Sequence, residues 1–466
     1  MESGPNGAAC LLGDVNQASA ARQRITIFRM ISAETFSRYA EMRVPRYTSY
    51  PTAPHFSPAI DHTEYRRWLR ALSAEAPVSL YLHVPFCREM CWYCACHTTV
   101  TQRRAPIARY VADLSREIEL VAAELPARLR IGHQHWGGGS PTLLTADQVE
   151  ALSATLDEHF DRDEAAEIAV EIDPRTLTDA LARAFGEAGV NRASVGVQSF
   201  DPKVQAAINR AQSFATTQAA VRSLRGHGIA AINLDLVYGL PFQTVASCVA
   251  TVEQALELKP DRLAVFGYAH VPGMKAHQRK IDETALPSTA ERHAQFEAIA
   301  TALAGAGYRQ IGLDHFVLPS DPLARAAESG TLHRNFQGYT LDPCPTLIGF
   351  GVSAIGRLPQ GFVQNAARIP DYRRRIGEGR LAVVRGYALS EEDRRRAAVI
   401  ERLMCDYRAD VSGVPAPLDA LEADGLIRRS GDLIELVEEA RPLVRAVAAA
   451  FDAHLARSPA RHVTAV

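Results

Sequence analysis

Short strand-like runs alternate with helix-like segments through the middle of the chain, and this alternation restricts the possible folds more than any other feature. Strands are predicted at Val78–Val84, His133–Trp136, Glu167–Asp173, Arg192–Gln198, Ala231–Tyr238, Arg262–Tyr268 and Gln310–Asp314. The segments between them have the length of crossover helices, so the pattern predicts an α/β fold with a parallel sheet. These seven repeats lack a Rossmann glycine fingerprint, which favours a full or partial barrel.

Polar residues and glycines occupy the carboxyl ends of the predicted strands. They are Gly137–Ser140, Glu171, Asp173, Gln198, Asp235, Tyr238, His270, Asp314 and His315. Because the carboxyl ends of parallel barrel strands meet at one face, where barrel active sites are built, we expect these side chains to surround one site.

Four cysteines follow the first predicted strand within ten residues: Cys87, Cys91, Cys94 and Cys96. Structural zinc sites usually use two short Cys/His pairs from separate segments, whereas CxxxCxxC places three thiolates on one loop. Three sulfurs fit one face of a cubic iron–sulfur cluster, which is normally held by four cysteines. One iron is then free for a non-protein ligand, and we expect reductive cleavage of S-adenosylmethionine there. Tyr93 lies between two of the cysteines, where its ring would shield the cluster from water.

A structural zinc protein is the alternative to this interpretation. It would bind zinc tightly and show no iron–sulfur absorbance. The spacing of the cysteines and their position after a strand favour the cluster.

Composition argues against several classes of partner. The 466 residues include 51 Lys and Arg against 53 Asp and Glu, a formal net charge of −2, so no global basic field indicates nucleic acid or a membrane. No run is long and apolar enough for a transmembrane helix, and the first residues lack the features of a secretory signal. The other cysteines, Cys10, Cys248, Cys344 and Cys405, are scattered singly, as in a reducing compartment. We expect a cytoplasmic protein that binds neither nucleic acid nor membrane.

The chain divides into four predicted regions. Residues 1–23 are small and polar and are predicted to be a disordered extension. Residues 24–77 form an N-terminal substrate or lid segment, and residues 78–375 form the barrel. Residues 376–466 form a smaller, mainly helical C-terminal domain, in which LDALEADGLIRRSGDLIEL predicts the helix and strand pair of a winged helix. Because carboxylates offset the arginines there, we do not expect DNA binding.

Ten segments in order along the chain carry a resemblance to a known family. They are PRYTSYPTA, LYLHVPFCREMCWYCAC, HWGGGSPT, EIDPR, NRASVGVQSF, NLDLVYGLPFQT, VFGYAHVP, GLDHF, LHRNFQGYT and GVSAIG. In these segments the sequence is similar to the oxygen-independent coproporphyrinogen III oxidases, or dehydrogenases, of anaerobic haem biosynthesis. These are radical S-adenosylmethionine enzymes with a partial α/β barrel and a smaller C-terminal domain.

The resemblance implies a reaction and its partners. The ring A and B propionates of coproporphyrinogen III would be decarboxylated to the vinyl groups of protoporphyrinogen IX, with carbon dioxide, methionine and 5′-deoxyadenosine as by-products. An external one-electron donor of the flavodoxin or ferredoxin type would reduce a [4Fe-4S] cluster, and a 5′-deoxyadenosyl radical would abstract a β-hydrogen from each propionate. We expect a monomer, as in the family.

The resemblance also implies the roles of particular residues. Cys87, Cys91 and Cys94 match the cluster ligands, whereas Cys96 matches an additional cysteine that is not expected to bind the cluster. Contacts to a first S-adenosylmethionine on the free iron are implied for Tyr81, Gly138, Glu171 and Ile355. Contacts to a second S-adenosylmethionine are implied for Tyr93, Gly139, Ser140, Gln198, Arg210, Asp235 and Ala269.

The substrate is an anionic tetrapyrrole, so its pocket should offer cations and hydrogen-bond donors. The candidates are Arg46, His315, His333 and Arg334 for the propionates, and Tyr47 and Phe336 as ring contacts. Two alternatives stay open: the haem chaperone relatives, which bind and transfer haem, and a radical enzyme of the same scaffold with another substrate. The chaperones typically lack the fourth cysteine and carry HNxxYW where this chain has HRNFQGYT, so both features favour the oxidase.

Overall fold

The structure is a computed structural model that describes residues 31–457 and 463–465. The predicted disorder of residues 1–23 lies outside the described residues, as does Cys10. The α-helices of the described part are α1 Ala33–Ala40, α2 His62–Arg70, α3 Arg104–Ala122, α4 Ala146–His159, α5 Asp179–Glu187, α6 Pro202–Ala207, α7 Phe214–Gly226, α8 Val245–Glu257, α9 Thr289–Gly305, α10 Pro322–Ser329, α11 Ile369–Gly377, α12 Glu391–Asp406, α13 Asp419–Ala423 and α14 Val444–Ala448.

A twelve-stranded sheet forms the centre of the protein. Its strands are β1 Val78–Val84, β2 Arg130–Gly138, β3 Asp161–Ile172, β4 Arg192–Gln198, β5 Ala231–Tyr238, β6 Arg262–Gly267, β7 Arg309–Ile311, β8 His315–Val317, β9 Thr346–Phe350, β10 Ile355–Leu358, β11 Gly361–Asn365 and β12 Val383–Ala388. Their order across the sheet is β7-β8-β6-β5-β4-β3-β2-β1-β9-β10-β11-β12.

Seven neighbouring strands of this sheet, from β6 through β1 to β9, run parallel. The two outermost of them, β6 and β9, do not pair with each other, so the barrel is open. This confirms the predicted partial (β/α) barrel. The residues of β1 are almost all buried, as expected for a parallel strand covered on both faces.

The predicted strand Gln310–Asp314 is wrong. In its place β7 and β8 form an antiparallel hairpin, because Gly312 adopts a positive φ of 57° and reverses the chain. The seventh parallel strand is instead β9, which pairs with β1.

Smaller sheets and 3₁₀ turns complete the described part of the chain. Short strands pair at Arg43–Val44 with Val463–Thr464, at Phe86–Cys87 with Thr99–Val100, and at His333–Asn335 with Gly338–Thr340, and Arg408–Asp410, Ile427–Ser430 and Leu433–Leu436 form a three-stranded sheet. The 3₁₀ helices are Ala53–His55, Pro141–Leu143, Ala276–Lys280, Glu283–Ala285, Glu438–Leu443, Ala449–Phe451 and Leu455–Arg457. None of the described helices is long and apolar enough to cross a membrane.

Two large apolar clusters lie on different parts of the fold. The first fills the space between the barrel strands and the surrounding helices. The second joins the N-terminal segment, including Tyr47 and Tyr50, to α12 and the residues after it. The N-terminal segment is therefore packed against the C-terminal region by apolar contacts between residues about 400 positions apart, which no local pattern predicts.

A buried carboxyl group ties α3 to the segment after β9. Glu117 is 1 % exposed and accepts hydrogen bonds from Gly351 N (2.6 Å), Tyr372 Oη (2.8 Å) and Asn365 Nδ2 (2.7 Å). Burial raises the pKa of Glu117 to about 7, although these three donors act in the opposite direction.

We predict a pH-dependent contribution of Glu117 to stability. A carboxyl group with a raised pKa in the folded state stabilises the protein fully below its unfolded pKa near 4.5, and this contribution is lost as the pH rises through about 7. The size of the effect is up to about 3 kcal/mol. Urea unfolding at pH 5 and pH 8, followed by tryptophan fluorescence, should show this loss in the wild type and not in Glu117→Gln.

The half-buried neighbour Glu119, which pairs with Arg116 on the surface, provides the matched control. Glu119→Gln lies on the same helix and should keep the pH dependence of the wild type. An identical pH dependence in Glu117→Gln would contradict the assignment.

Candidate active site

A cavity of about 460 Å³ extends from the cysteine loop into the barrel. All four cysteines of the loop line it, together with residues from the carboxyl ends of β2, β3, β4 and β5. Of the predicted polar residues, the cavity is lined by Glu171, Asp173, Gln198, Asp235 and His315, whereas Tyr238, His270 and Asp314 lie outside its lining. This arrangement follows from the sheet, since parallel strands place their carboxyl ends at the same edge.

The cysteine loop is closed at its base by a short parallel ladder. Phe86 and Cys87 pair with Thr99 and Val100, and Thr101 N donates to the carbonyl oxygen of Cys87 (2.9 Å). The ladder fixes both ends of the loop, so the thiols between them have little freedom. Cys91 is buried, Cys87 and Cys94 are half-buried, and Cys96 is exposed.

The thiols of the loop differ in their surroundings. Burial raises the pKa of the Cys87 thiol to about 12. A hydrogen bond from the side chain of Cys96, with a second from its backbone N–H, lowers the pKa of Cys94 to about 7. The backbone nitrogen of Cys96 lies 3.4 Å from Cys94 Sγ.

Two arginines face the buried thiol of Cys91. Arg175 Nη2 lies 3.7 Å and Arg210 Nη1 lies 3.6 Å from Cys91 Sγ. Both guanidinium groups also pair with Asp173, at 2.7 and 3.6 Å. Burial alone would raise the pKa of Asp173, but the two arginines hold it below its ordinary value. The loop therefore faces fixed positive charge on its inner side.

Glycines after β2 let three segments of backbone approach one another. Gly138 has a φ of 110°, a conformation that favours glycine. A Cβ on Gly139 would lie 2.7 Å from the carbonyl oxygen of Phe86. Only residues without a side chain fit between β1 and the cysteine loop, which explains the Gly-Gly-Gly run at this place.

Glu171 lies next to this glycine run, at the end of β3. It accepts a hydrogen bond from Gly138 N (3.1 Å) and pairs with His135 Nε2 (3.2 Å). Burial alone would raise the pKa of Glu171, but His135 and Gly138 N lower it below its ordinary value. Glu171 is thus held as a carboxylate that faces the cavity.

The residues predicted to contact a second S-adenosylmethionine also converge, with one exception. Tyr93, Gly139, Gln198, Arg210, Asp235 and Ala269 all line the cavity. Burial raises the pKa of Asp235 to about 6, and Ser194 Oγ donates to it (2.8 Å). Ser140 is buried outside the lining and shares a hydrogen bond with Thr142 (2.6 Å).

Two predicted contacts of the first S-adenosylmethionine lie just outside the lining, in contrast to Gly138 and Glu171. Tyr81 Oη lies 2.9 Å from His83 Nδ1, and His83 Nε2 lies 3.0 Å from the carbonyl oxygen of His97. Because that oxygen can only accept, Nε2 of His83 carries the proton and Tyr81 donates to Nδ1. Ile355 begins β10, next to β9.

The predicted substrate contacts divide into two groups. Arg46, His315 and Phe336 line the cavity. Tyr47 is instead buried and donates to Asp452 (3.1 Å), and His333 pairs with Glu401 (3.1 Å). Arg334 lies over the ring of Tyr339, 4.5 Å from its centroid.

Comparison with known proteins gives a consistent result. Residues 81–255 match the family model of the radical SAM superfamily. The oxygen-independent coproporphyrinogen III oxidase of Bradyrhizobium diazoefficiens is 54% identical over 442 residues, 92% of this chain and 98% of the relative. That of Pseudomonas aeruginosa is 41% identical over 441 residues, 91% and 96% of the two chains. This chain belongs to the oxygen-independent coproporphyrinogen III oxidase family.

A solved structure supports the same assignment. The coproporphyrinogen III oxidase HemN from Escherichia coli, described as a radical SAM enzyme, is 36% identical and has a TM-score of 0.83. The match covers 89% of this chain and all of the HemN chain. The predicted fold class is therefore confirmed over nearly the whole chain.

Membership in this family implies a [4Fe-4S] cluster and S-adenosylmethionine, and the site fits both. Cys87, Cys91 and Cys94 are among the cysteines that line the cavity, and two arginines lie beside Cys91. Positive charge suits an anionic thiolate cluster. The buried Nε of Arg210 has no hydrogen-bond partner among the described residues, so it remains available to an anionic ligand. No three His, Cys, Asp or Glu side chains in the described part converge to hold a single metal ion; a cubic cluster differs, since each cysteine binds its own iron.

A group of polar residues deeper in the barrel was not predicted from the sequence. They are Ser79, His133, Glu167, Arg192, Asn233 and Arg262, and all line the cavity. Several lie two or four residues before another cavity-lining residue of the same strand, as His133 precedes His135 and Glu167 precedes Glu171. Alternate residues of a strand share a face. Polar residues at every second position of these strands could therefore have predicted that the polar face continues into the barrel.

We predict that Glu171 contributes to S-adenosylmethionine affinity through its charge. Glu171→Gln should raise the Kd about 10- to 100-fold, since a lost hydrogen bond to a charged group costs about 1.5–3 kcal/mol. Equilibrium dialysis with the anaerobically reconstituted protein measures the effect.

Glu167→Gln is the matched control, because Glu167 lies on the same strand and lines the same cavity but pairs with Arg192. Its S-adenosylmethionine affinity should stay within about twofold of the wild type, the size expected where no contact is lost. Equal losses in both variants would show that Glu171 acts only through the stability of the strand.

Proposed function

We propose that this protein catalyses the anaerobic oxidative decarboxylation of coproporphyrinogen III to protoporphyrinogen IX in haem biosynthesis. The observation that carries the proposal is the single cavity that joins the three-cysteine loop to Arg46 and Phe336. It provides a place for radical generation and a place for an anionic tetrapyrrole within one cavity. The names of the relatives support this oxidase and not the haem chaperone alternative.

The chain's own residues bind and orient the reactants. Cys87, Cys91 and Cys94 would hold the cluster, and Glu171 with the Gly138 backbone would orient S-adenosylmethionine. When bound, the reduced cluster supplies the electron that cleaves S-adenosylmethionine. The apolar and aromatic residues around the loop exclude water, which protects a reactive species from side reactions.

A second S-adenosylmethionine is part of the proposal. The cavity lining supplies Arg210 and Asp235 for its charged and polar groups, next to Gln198 and Ala269. Arg210 can pair with a methionyl carboxylate, because one of its nitrogens has no other partner among the described residues.

Positive charge at the other end of the cavity suits the propionates of the substrate. Arg46 lines the cavity. Burial lowers the pKa of its guanidinium group, and the neighbouring Arg334 and Arg292 lower it further. Asp314 offsets part of this charge. An excess of cations close together attracts a carboxylate strongly.

The C-terminal region holds Phe336 at the cavity. Phe336 lies at the tip of the hairpin formed by His333–Asn335 and Gly338–Thr340. Helix α12 fixes this hairpin, since Glu401 pairs with His333 and Tyr339 Oη donates to the carbonyl oxygen of Met404 (2.8 Å). His333 would therefore act by positioning the cavity wall.

The remaining parts of the proposal concern partners and location. The protein would accept electrons from an external carrier of the flavodoxin or ferredoxin type, and it would act as a monomer in the cytoplasm. Neither nucleic acid nor a membrane is needed for the reaction.

Anaerobic turnover of the reconstituted protein tests the proposed function. With coproporphyrinogen III, S-adenosylmethionine and dithionite, we expect protoporphyrinogen IX and 5′-deoxyadenosine. Cys87→Ala should lose iron, cluster absorbance and both products. Cys96→Ala is the matched control for cluster binding and should keep its iron and absorbance. Haem binding without turnover would instead assign the protein to the chaperones.

We predict that Arg46 contributes to substrate affinity. Arg46→Met should raise the KM for coproporphyrinogen III about 10- to 100-fold, the effect of losing one charged hydrogen bond. Arg46→Lys should recover part of the loss, because it keeps the charge without the planar fork. Steady-state kinetics with dithionite measures KM and kcat separately.

The exposed Arg43 lies three residues earlier and serves as the control. Arg43→Met should leave the KM unchanged. A fall in kcat at unchanged KM in Arg46→Met would refute a role in substrate binding.

A further inference from the structure

The outer side of the cysteine loop carries most of the lysines of this protein. The chain has four lysines, Lys203, Lys259, Lys275 and Lys280. Three of them lie near the loop, whereas Lys259 precedes β6 and so lies at the opposite end of the barrel.

The segment around Lys275 and Lys280 packs directly on the backbone of the loop. Lys275 Nζ donates to the carbonyl oxygen of Cys96 (3.0 Å), and His277 Nε2 donates to that of Cys94 (2.6 Å). Gln278 Nε2 donates to the carbonyl oxygen of Tyr93 (2.9 Å). The surface of this segment is therefore separated from the cluster ligands by little more than one layer of residues.

Lys203 and Lys280 each lie over an aromatic ring, and the two rings belong to neighbouring segments. Lys280 Nζ lies 5.6 Å from the ring centroid of Trp92, next to Cys91 in sequence, and Lys203 Nζ lies 4.2 Å from that of Phe242. The backbone links the two pairs, since Trp92 N donates to Ile208 O (2.9 Å), at the end of the helix that carries Lys203. We call Lys203, Phe242, Met274, Arg279 and Lys280 the basic face.

Exposed apolar side chains lie on the same face. Met274 is 65% and Phe242 is 40% exposed, and the nearby Val245 is 42% exposed. Large apolar side chains that are exposed together on one surface mark interaction sites.

The three cations of the face, Lys203, Arg279 and Lys280, are not part of any ion pair among the described residues. In the described part of the chain, no carboxylate oxygen lies within 4.0 Å of Lys203, Arg279 or Lys280, whereas Glu283 pairs with His270. Asp282 accepts hydrogen bonds from Thr284 N and Oγ1. These two exposed carboxylates therefore contact other groups and form no ion pair with the three cations.

We propose that the basic face docks the acidic protein that delivers electrons to the cluster. The inference rests on the proposed function, which requires an external one-electron donor. Electron transfer slows steeply with distance, so the donor must bind where its own redox group comes close to the cysteine loop. Complementary charge guides such short-lived encounters, and the exposed apolar side chains provide the contact.

A binding experiment tests the proposal independently of turnover. The probe is a purified bacterial flavodoxin, an acidic one-electron carrier, titrated into the reconstituted protein by isothermal calorimetry at low salt. Arg279→Glu/Lys280→Glu should raise the Kd about tenfold, as expected for charge reversal at an electrostatic interface. Raising the salt concentration should weaken wild-type binding and reduce the difference between the two proteins.

Arg222→Glu/Lys259→Glu is the matched control. It changes the net charge by the same amount on exposed residues away from the loop, and it should bind flavodoxin as the wild type does. An equal loss in both variants would show only a general effect of net charge and would overturn the proposal, as would unchanged binding in both.

Turnover with two reductants separates this proposal from the proposed function. Dithionite needs no docking, so Arg279→Glu/Lys280→Glu should keep dithionite-driven product formation and lose flavodoxin-driven cluster reduction. Loss of both would assign the face to cluster integrity and refute docking. Absence of tetrapyrrole product in the wild type with dithionite would refute the proposed function alone. If the wild type instead forms a concentration-dependent dimer and does not bind flavodoxin, and Arg279→Glu/Lys280→Glu alone abolishes the dimer, the face would be assigned to a second copy of the chain.

Discussion

The parallel pairing of β1 with β2 and β9 is the interaction on which the rest of the site depends. Its register places Val84 opposite Gly138 and Leu82 opposite Phe350, so the chain enters the cysteine loop beside the glycine run. Gly139 N donates to the carbonyl oxygen of Val84 (2.8 Å) and extends this pairing into the site. Because a shift of one residue would turn every side chain of β1 to the other face, the register decides both the core and the position of the thiols.

Charge compensation is the second physical theme of the cavity. Near the cysteine loop, Asp173 is shared between Arg175 and Arg210, and both arginines face Cys91. Buried charges of this kind are costly unless they are paired, and their value lies in defining one arrangement. The opposite end of the cavity carries Arg46 with excess positive charge around it. One end thus suits an anionic cluster and the other an anionic substrate, while Glu171 and Asp235 between them suit groups that donate hydrogen bonds.

Much of the site could be predicted from the sequence because its residues lie at the ends of strands. The cysteines, Glu171, Gln198 and Asp235 each follow a strong strand pattern, and parallel topology alone brings them together. Tyr47, His333 and Arg334 were chosen for their chemistry without such a constraint. The structure leaves all three outside the cavity lining, where they contact Asp452, Glu401 and Tyr339, respectively. The strand predicted at Gln310–Asp314 failed for a local reason, since Gly312 turns the chain where the apolar pattern continues.

The sequence by itself determined the strand–helix alternation, the three-cysteine loop and the family to which the chain belongs, because these depend on residues close together along the chain. Only the tertiary structure decided which side chains share the cavity, how the N-terminal segment packs against the C-terminal region, and where the lysines gather. These arrangements join residues as far apart as Tyr47 and Asp452. Such contacts arise from packing and charge in three dimensions, and the order of residues along the chain does not record them.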